Sequence, residues 1–478
     1  MKKKFLAVAG AACALACSLC FTLTACAGGG GDGPKTTGTL NKDENGKVIF
    51  DNVEIKLTTV VAGTDKQSFT EMINTFNKEY REKINVVLNC IYNDTYDSTV
   101  QSQIRNRMNP PDLMMSHQSG HLNYLESKLI QPFDEAMELS GITIDMKDYT
   151  NSFAKYASLG KEGSLYSVPT DAQSTVILYN KAMLQTYADG NVPTTRSEWL
   201  TACGAAKADG KKAILMSTTD GSTRDYIFPT AYLQNGGTMY NSKNYAEWAS
   251  NATNLSAAKN AIASLRGLIT DGFMEKGQSK EKVADEFLEN KGLFLITTPW
   301  EVNEVMKNYA KKYNKTLAQV KADDIGAMST AKLFAMGENA SSANADKIYC
   351  DSHGFMMSVT VTDINKKAAI LEFIKWFTET GSIGAQWAEA GHISLSNKIN
   401  ADAAYSQSNF VQNYISKFYP DVSKLEGLGN TPIANTMITC FGKIMTDALD
   451  KTGDSQDEAI ITEQQNTYNG TYDMRGLG

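Results

Sequence analysis

Alternating strand-type and helix-type segments are the feature of this chain that most restricts its fold. A β-rich run at 53–61 is followed by a helical face at 69–80, where apolar residues recur at spacings of three and four. An apolar β-type run at 84–92, a helix ending at Arg107 and a short strand at 112–116 come next. Repeated β-α-β units with short connections predict a parallel sheet covered by helices on both faces.

A second region of the chain shows the same alternation. Strands are predicted at 174–179, 213–216 and 292–297, and amphipathic helices at 255–270 and 280–290. The 478-residue length fits about two to three domains. We therefore expect an α/β protein with two such regions.

Parallel α/β sheets bind ligands beyond the carboxyl ends of their strands, where irregular loops meet. Five loops follow a predicted strand or lie between two elements, and each carries polar or aromatic side chains. These loops are 62–66, 116–120, 169–173, 298–301 and 350–354. We expect a binding site where they converge.

The amino end predicts export. Lysines at 2–4 precede an uncharged apolar run from Phe5, which is the pattern of a signal peptide (residues 1–25). Leu23-Thr24-Ala25-Cys26 resembles the lipobox of bacterial lipoproteins, in which the chain is cut before the cysteine and the cysteine is lipidated. The Gly-rich stretch that follows predicts a flexible tether over 26–40. We expect a protein anchored by lipid to the cell membrane and facing outside the cytoplasm.

The alternative for the amino end is an uncleaved membrane helix, because the apolar run approaches the ~20 residues that a span needs. The cysteine at the end of the run and the glycines directly after it favour the signal peptide. Cleavage there would remove three lysines and no acidic residue, which changes the net charge from −7 to −10. An acidic chain is a poor partner for nucleic acid or for anionic lipid.

Cysteine and histidine spacing gives no sign of a metal site. Cys90, Cys203, Cys350 and Cys440 are far apart and form no Cys-x-x-Cys pair, so unpaired and mostly buried thiols are favoured over a disulfide framework. The four histidines include no His-Glu-x-x-His pattern. We expect neither a bound metal nor a cofactor.

Eight polar or aromatic residues in or near the loops are candidates for ligand contact. They are Asp65, His117, Gln118, Asp171, Gln173, Tyr232, Trp300 and Asp351. Trp300 ends a strand after a proline, so its ring either lies at the rim of the sheet, where the C–H face of a sugar could stack, or closes the core. Asp171 could accept a bond from a sugar hydroxyl or from its own backbone in a turn. Asp351 could act in a hinge, a cap or a ligand contact.

Catalytic signatures are missing from the sequence. It contains no Gly-x-Ser-x-Gly elbow, no P-loop and no Gly-x-Gly-x-x-Gly after a strand. A glycosidase needs two opposed carboxylates, and abundant acidic residues leave that alternative open, although no local pattern suggests it. Binding without catalysis is favoured.

Three segments together resemble the bacterial extracellular solute-binding proteins of family 1, which include the maltose-binding proteins of ABC importers. Residues 166–181 resemble the passage "Tyr-x-x-Pro…Tyr-Asn-Lys" of that family, and residues 290–300 resemble its "Lys-Gly…Pro-Trp" strand. Residues 368–394 resemble its "Ala…Phe-Ile-x-Trp/Phe…Gly-x-Leu-Pro" region, but the final proline is absent. The order and spacing of these motifs identify the chain as a member of the family.

The resemblance implies an α/β, two-lobe periplasmic-binding-protein-like fold (type II) with the ligand cleft between the lobes. Lobe one is expected at 41–170 and 354–398, and lobe two at 171–353 and 399–478. The implied function is capture of a carbohydrate, with an oligosaccharide favoured over a single sugar, by a monomeric receptor that delivers it to the transmembrane subunits of an ABC permease. The alternatives are a surface glycoside hydrolase, a binding protein for a glycerophosphodiester or other anionic solute, and an adhesive lipoprotein.

Overall fold

The computed structural model of the protein describes residues 35–450 and 454–475. The predicted signal peptide, the lipidation at Cys26 and most of the predicted tether lie outside these residues. The strands are β1 (Val53–Thr59), β2 (Ile84–Cys90), β3 (Leu113–His117), β4 (Ile130–Gln131), β5 (Val168–Pro169), β6 (Asp171–Ala172), β7 (Val176–Asn180), β8 (Lys212–Met216), β9 (Gly292–Thr297), β10 (Ile325–Met328), β11 (Ile348–Tyr349), β12 (His353–Ser358), β13 (Ile393–Ser394) and β14 (Leu425–Glu426).

Helices occupy most of the remaining described chain. They are α1 (Lys66–Glu79), α2 (Asn93–Asn106), α3 (His121–Glu126), α4 (Asp134–Ser140), α5 (Asn151–Ala154), α6 (Lys181–Ala188), α7 (Arg196–Ala208), α8 (Gly221–Gln234), α9 (Ala252–Thr270), α10 (Lys280–Leu288), α11 (Val302–Lys312), α12 (Leu317–Gln319), α13 (Ile364–Glu379), α14 (Gly381–Glu389), α15 (Asn397–Ala401), α16 (Ala403–Ser406), α17 (Ser416–Phe418), α18 (Ala434–Asp450) and α19 (Asp454–Met474). Among the described helices, none combines the length and the apolar character that crossing a bilayer requires.

Two sheets organise the described chain. The first has the order β2-β1-β3-β12-β4, with β5 also paired to β12, and the second has the order β10-β7-β9-β8. Strand β1 runs parallel to β2 and β3, and β8 runs parallel to β9, as the β-α-β pattern predicts.

The prediction of wholly parallel sheets is wrong, because β12 is antiparallel to β3 and β7 is antiparallel to β9. Both strands follow segments that join the two sheets. His353, the first residue of β12, pairs with His117, the last residue of β3. Val176, the first residue of β7, likewise pairs with Thr297, the last residue of β9. Each of these strands enters its sheet at the carboxyl edge of a neighbour and must therefore run in the opposite direction.

The segments that join the sheets lie side by side, and we call 170–175 and 350–352 the crossing segments. Gln173 and Asp351 exchange backbone hydrogen bonds of 2.9 and 3.0 Å between these segments. Strand β6, within the first segment, also pairs with β13. The junction is thus a small ladder of paired backbone. The lobe boundaries expected from the sequence remain a prediction.

Aromatic side chains build the core beside the first sheet. Phe76 of α1 meets Phe373 of α13 edge to face, with ring centroids 5.0 Å apart. Phe69 and Phe377 continue the same contact at 5.8 Å. The helical spacing over 69–80 therefore marks the buried face of α1, which packs against buried aromatic residues of α13.

A buried ion pair fixes the carboxyl-terminal helices on the second sheet. Arg266 of α9 donates two hydrogen bonds to Asp457 of α19, at 2.5 and 3.0 Å. The same guanidinium donates to the carbonyl oxygen of Ala448 in α18, at 2.8 and 3.2 Å. The side chain of Asp457 is 2% exposed and that of Arg266 is 15% exposed. One arginine therefore positions both α18 and α19.

We expect Asp457→Ala to lower the free energy of unfolding by about 3 kcal/mol, because the variant leaves Arg266 largely buried without its partner. Denaturant unfolding followed by circular dichroism measures this value. The matched control is Asp447→Ala, which removes the exposed pair between Lys443 and Asp447 on α18 and should cost at most about 0.5 kcal/mol. Equal losses in the two variants would contradict the assigned role of Arg266.

Candidate functional site

A cavity of ≈ 580 Å³ lies where the loops after β1, β2, β3, β8 and β9 meet the crossing segments. All five loops singled out in the sequence contribute to its wall. The lining residues are Val60, Val61, Gly63, Asp65, Tyr92, Asn93, Asp94, His117, Ser119, Gln173, Gly221, Ser222, Asp225, Tyr226, Trp300, Tyr349, Asp351, His353, Asn435, Ile438 and Thr439. Both sheets therefore present the carboxyl ends of parallel strands to one space, which is the expected position for a ligand site.

Five of the eight candidate residues line this cavity. They are Asp65, His117, Gln173, Trp300 and Asp351. The structure brings them together from loops of both sheets and from both crossing segments.

The other three candidates lie outside the wall. Gln118 is buried behind it, where its Oε1 accepts a hydrogen bond from Ser352 at 2.9 Å. Tyr232 is packed in the core beside the second sheet and donates its hydroxyl to the carbonyl oxygen of Thr238 at 3.0 Å. Asp171 is fully buried beneath the cavity.

Trp300 is held at the cavity by its backbone. The 3-10 turn Pro299–Glu301 follows β9 directly, and the carbonyl oxygen of Trp300 accepts a hydrogen bond from Thr64 at 3.1 Å. Gly391, at φ +100°, packs so closely against the backbone of Pro299 and Trp300 that a Cβ atom would have no room. The Gly-His-Ile-Ser segment of the sequence thus supports the tryptophan loop, and glycine is needed for that contact.

Sequence reasoning missed several lining residues. Tyr92 follows β2 and is 70% exposed, whereas Tyr226 lies in the second turn of α8. Asp220 caps α8 by accepting from the backbone N–H of Ser222, and Asp-Gly-Ser after a predicted strand was a signal that could have located this helix end. Asn435, Ile438 and Thr439 come from α18, for which the sequence offered no ligand signal.

Asp171 is the centre of a buried hydrogen-bond network below the cavity. Its carboxylate accepts from Trp387 Nε1 at 2.6 Å, from His353 Nδ1 at 3.1 Å and from the His353 backbone N–H at 3.2 Å. Burial alone would raise the pKa of Asp171, but the charges of His353 and His392 and the hydrogen bonds from His353 hold it well below its usual value. The carboxylate is therefore ionised and joins three parts of the chain.

His392 lies between two carboxylates. Its Nε2 is 3.1 Å from Asp65 Oδ2, and its Nδ1 is 3.8 Å from Asp171 Oδ1. The ring stacks on Trp387 with centroids 3.9 Å apart. Burial lowers the pKa of His392, but the two aspartates outweigh that effect and raise the pKa to about 9. Burial also opposes ionisation of Asp65, whose pKa is nevertheless lowered overall by its bond to His392.

The cavity wall is rich in carboxylates. Asp65, Asp94, Asp225 and Asp351 line it, and among the described residues no lysine or arginine does. Ser119 donates to Asp351 at 2.8 Å, and His117 Nδ1 is 3.5 Å from the same carboxylate. Desolvation lowers the pKa of His117 although Asp351 opposes that shift. The site offers many hydrogen-bond acceptors, and two of its carboxylates have cationic partners behind the wall, since Asp225 pairs with Arg224 at 2.9 Å and Asp65 with His392 at 3.1 Å.

His121 supports the loop after β3 and is fully buried. Its Nδ1 is 2.8 Å from Ser167 Oγ, and its Nε2 is 3.2 Å from the carbonyl oxygen of Ser116. Burial lowers its pKa from 6.5 to about 3. Between about pH 3 and pH 6.5, the His121 imidazole is therefore neutral in the native protein and protonated in the unfolded chain.

We expect His121 to make the free energy of unfolding depend on pH. Its contribution should lower that free energy by about 1.4 kcal/mol for each unit that the pH drops from about 6.5 toward 3. The unfolded chain binds a proton there and the native chain does not, so acid favours unfolding. Comparing denaturant unfolding of the wild type and His121→Gln at several pH values isolates the effect, because the carboxylates are common to both. Parallel pH profiles would contradict it.

Comparison with known proteins places the chain in a family. The model of the family described as "bacterial extracellular solute-binding protein" matches residues 62–382, and a search of curated proteins found no match. Among solved structures, the GacH receptor of Streptomyces glaucescens is 16% identical with a TM-score of 0.65, covering 89% of this chain and 98% of its own.

Two further structures agree with that fold. The cyclic α-maltosyl-1,6-maltose binding protein of Arthrobacter globiformis is 16% identical with a TM-score of 0.65, covering 88% of this chain and 98% of its own. The maltose/maltodextrin-binding domain of Bdellovibrio bacteriovorus is 15% identical with a TM-score of 0.64, covering 88% and 100%. The predicted two-lobe α/β fold is confirmed, and the chain belongs to the bacterial extracellular solute-binding protein family.

Proposed function

We propose that this protein is a lipid-anchored receptor that captures a neutral oligosaccharide and delivers it to the permease of an ABC importer. The observation that carries the proposal is the cavity itself, which combines aromatic side chains with carboxylate and amide acceptors at the meeting point of two sheets. It binds its ligand without turnover.

Aromatic rings supply the flat apolar surfaces that the C–H faces of sugar rings need. Trp300, Tyr92 and Tyr226 line the cavity, and the ring of Tyr226 lies 5.6 Å from the buried ring of Tyr349. A stacked saccharide buries apolar area on both sides of the contact. These residues come from both sheets, which suits a ligand longer than one sugar.

Polar side chains of the cavity wall would form hydrogen bonds with the hydroxyl groups of the saccharide. Asp65, Asp351 and Gln173 offer oxygens to the cavity, and His117 offers a ring nitrogen. Each hydrogen bond adds roughly 0.5–1.5 kcal/mol net, so several must act together. Asp171 contributes by holding the wall in place beneath them.

Charge favours a neutral ligand over an anionic one. The wall has four carboxylates, and within the described part of the chain it has no lysine or arginine. An anionic solute such as a glycerophosphodiester would lose hydration without gaining a cationic partner. The ligands named for the similar solved structures support a saccharide, since they include acarbose for the Streptomyces receptor and maltotriose for the Bdellovibrio domain.

Delivery follows from closure of the site. A ligand that contacts loops of both sheets favours the state in which those loops are close, and the crossing segments form the connection that must bend. The closed form would dock on the permease. Cys26, followed by its Gly-rich tether, would keep the receptor at the membrane.

We expect maltodextrins or another neutral oligosaccharide series to raise the melting temperature, since ligand at 100 times its dissociation constant adds about 2.7 kcal/mol. Trp300→Ala should weaken binding about tenfold or more, because the stacked ring is lost. Calorimetric titration measures both proteins. Chromatography of the recovered sugar tests for hydrolysis.

The matched control is Tyr313→Ala, which removes an aromatic ring outside the cavity wall and should leave affinity unchanged. Binding of glycerol phosphates but of no sugar would replace the carbohydrate assignment. Recovery of shortened sugar would indicate a glycosidase. Equal affinities of the wild type and Trp300→Ala would remove the tryptophan from the site.

Lipid attachment is tested in cells given labelled palmitate. We expect the label in the wild-type protein and in Cys90→Ser, because the Cys90 thiol lies in the folded part of the chain. Cys26→Ser should lose the label and leave the membrane fraction. Retention of label by Cys26→Ser would contradict the anchor.

A further inference from the structure

Three metal-ligating side chains meet behind the cavity although they are distant in sequence. Asp171, His353 and His392 each offer one ligand atom, and these atoms lie within 4.8 Å of one another. The residues are 0%, 4% and 1% exposed. His353 Nδ1 is 3.1 Å from Asp171 Oδ1, and His392 Nδ1 is 3.8 Å from the same oxygen. Ligands about 2.0–2.1 Å from a tetrahedral ion are separated by roughly 3.3 Å, so these spacings are of the right size.

His392 carries an independent sign of a missing partner. Its Nδ1 is buried and has no hydrogen-bond partner within the described ranges, although buried polar atoms are nearly always paired. Its Nε2 is 3.1 Å from the carboxylate of Asp65. Imidazoles that bind metals typically use one nitrogen for the ion and donate the other N–H to a carboxylate. His392 has the contact between Nε2 and a carboxylate, and its Nδ1 is available for an ion.

The carboxylate of Asp171 is oriented in a compatible way. Trp387 Nε1 holds its Oδ2 at 2.6 Å, and Oδ1 faces His353, whose backbone N–H and Nδ1 are 3.2 and 3.1 Å from it. Zinc bound at Nδ1 of His392 would take the place of a proton there, between the carboxylates of Asp65 and Asp171.

We propose that Asp171, His353 and His392 form a zinc site beneath the cavity. Two imidazoles and one carboxylate are a ligand set that suits Zn²⁺, and Asp65 and Trp387 orient the ligands from outside. His353 also lines the cavity, so the ion has a route of entry from that side. The ion would join a crossing segment to β12 and to the loop before β13. This inference does not rest on the saccharide proposal.

The experiment is calorimetric titration of chelator-treated protein with zinc chloride, followed by cobalt(II) titration read in the visible spectrum. We expect one ion per chain. His392→Gln should abolish stoichiometric binding, and Asp65→Asn, which removes only the orienting carboxylate, should weaken it about 10- to 100-fold. Cys90→Ser is the matched control, because this partly exposed thiol is an alternative zinc ligand. It should bind as the wild type does.

X-ray absorption of the zinc-loaded wild type gives a readout that does not depend on a variant folding. Two imidazoles in the coordination shell would support the site. A shell without imidazole, or zinc binding that is unchanged in a folded His392→Gln, would overturn it. Failure to bind zinc and cobalt at all would also overturn it and would leave the saccharide proposal untouched.

Discussion

The carboxylate of Asp171 is the contact on which the rest of the site depends. It lies on the first crossing segment, yet it accepts hydrogen bonds from Trp387 in α14 and from His353 at the start of β12. Three parts of the chain are thus joined through one ionised group. Such a group is stable in the interior because Trp387 and His353 donate hydrogen bonds to it and His392 lies 3.8 Å away. These contacts hold the cavity wall above Asp171 in place.

Strand direction explains why a single cavity serves both sheets. The strands that arrive from the crossing segments enter at the carboxyl edges of β3 and β9. The junction therefore lies at the same edge of each sheet as the loops after the parallel strands. The topology therefore places loops such as those of Asp65 and Trp300 around one space. The sequence of each loop supplies the side chains that line it.

Much of the fold was predictable from local patterns. The apolar spacing over 69–80 located α1. The Thr195 and Glu198 pair forms a capping box at the start of α7, and its Thr-x-x-Glu pattern can be read from the sequence. The antiparallel strands were not predictable, because their direction depends on where the chain re-enters the sheet. The placements of Asp171 and Tyr232 show the same limit for the site. Burial is set by distant partners such as Trp387, which no local pattern reveals.

The insertion of β12 between β3 and β4 also bears on how the chain can fold. Gln118 and Ser352, which bond across this junction, are separated by 234 residues in sequence. The first sheet therefore cannot close until nearly three quarters of the chain is available, and closing so long a loop carries an entropic cost. A chain that emerges amino end first must hold β1, β2 and β3 with an unpaired edge until β12 arrives. Such long-range pairing favours slow folding of the first sheet.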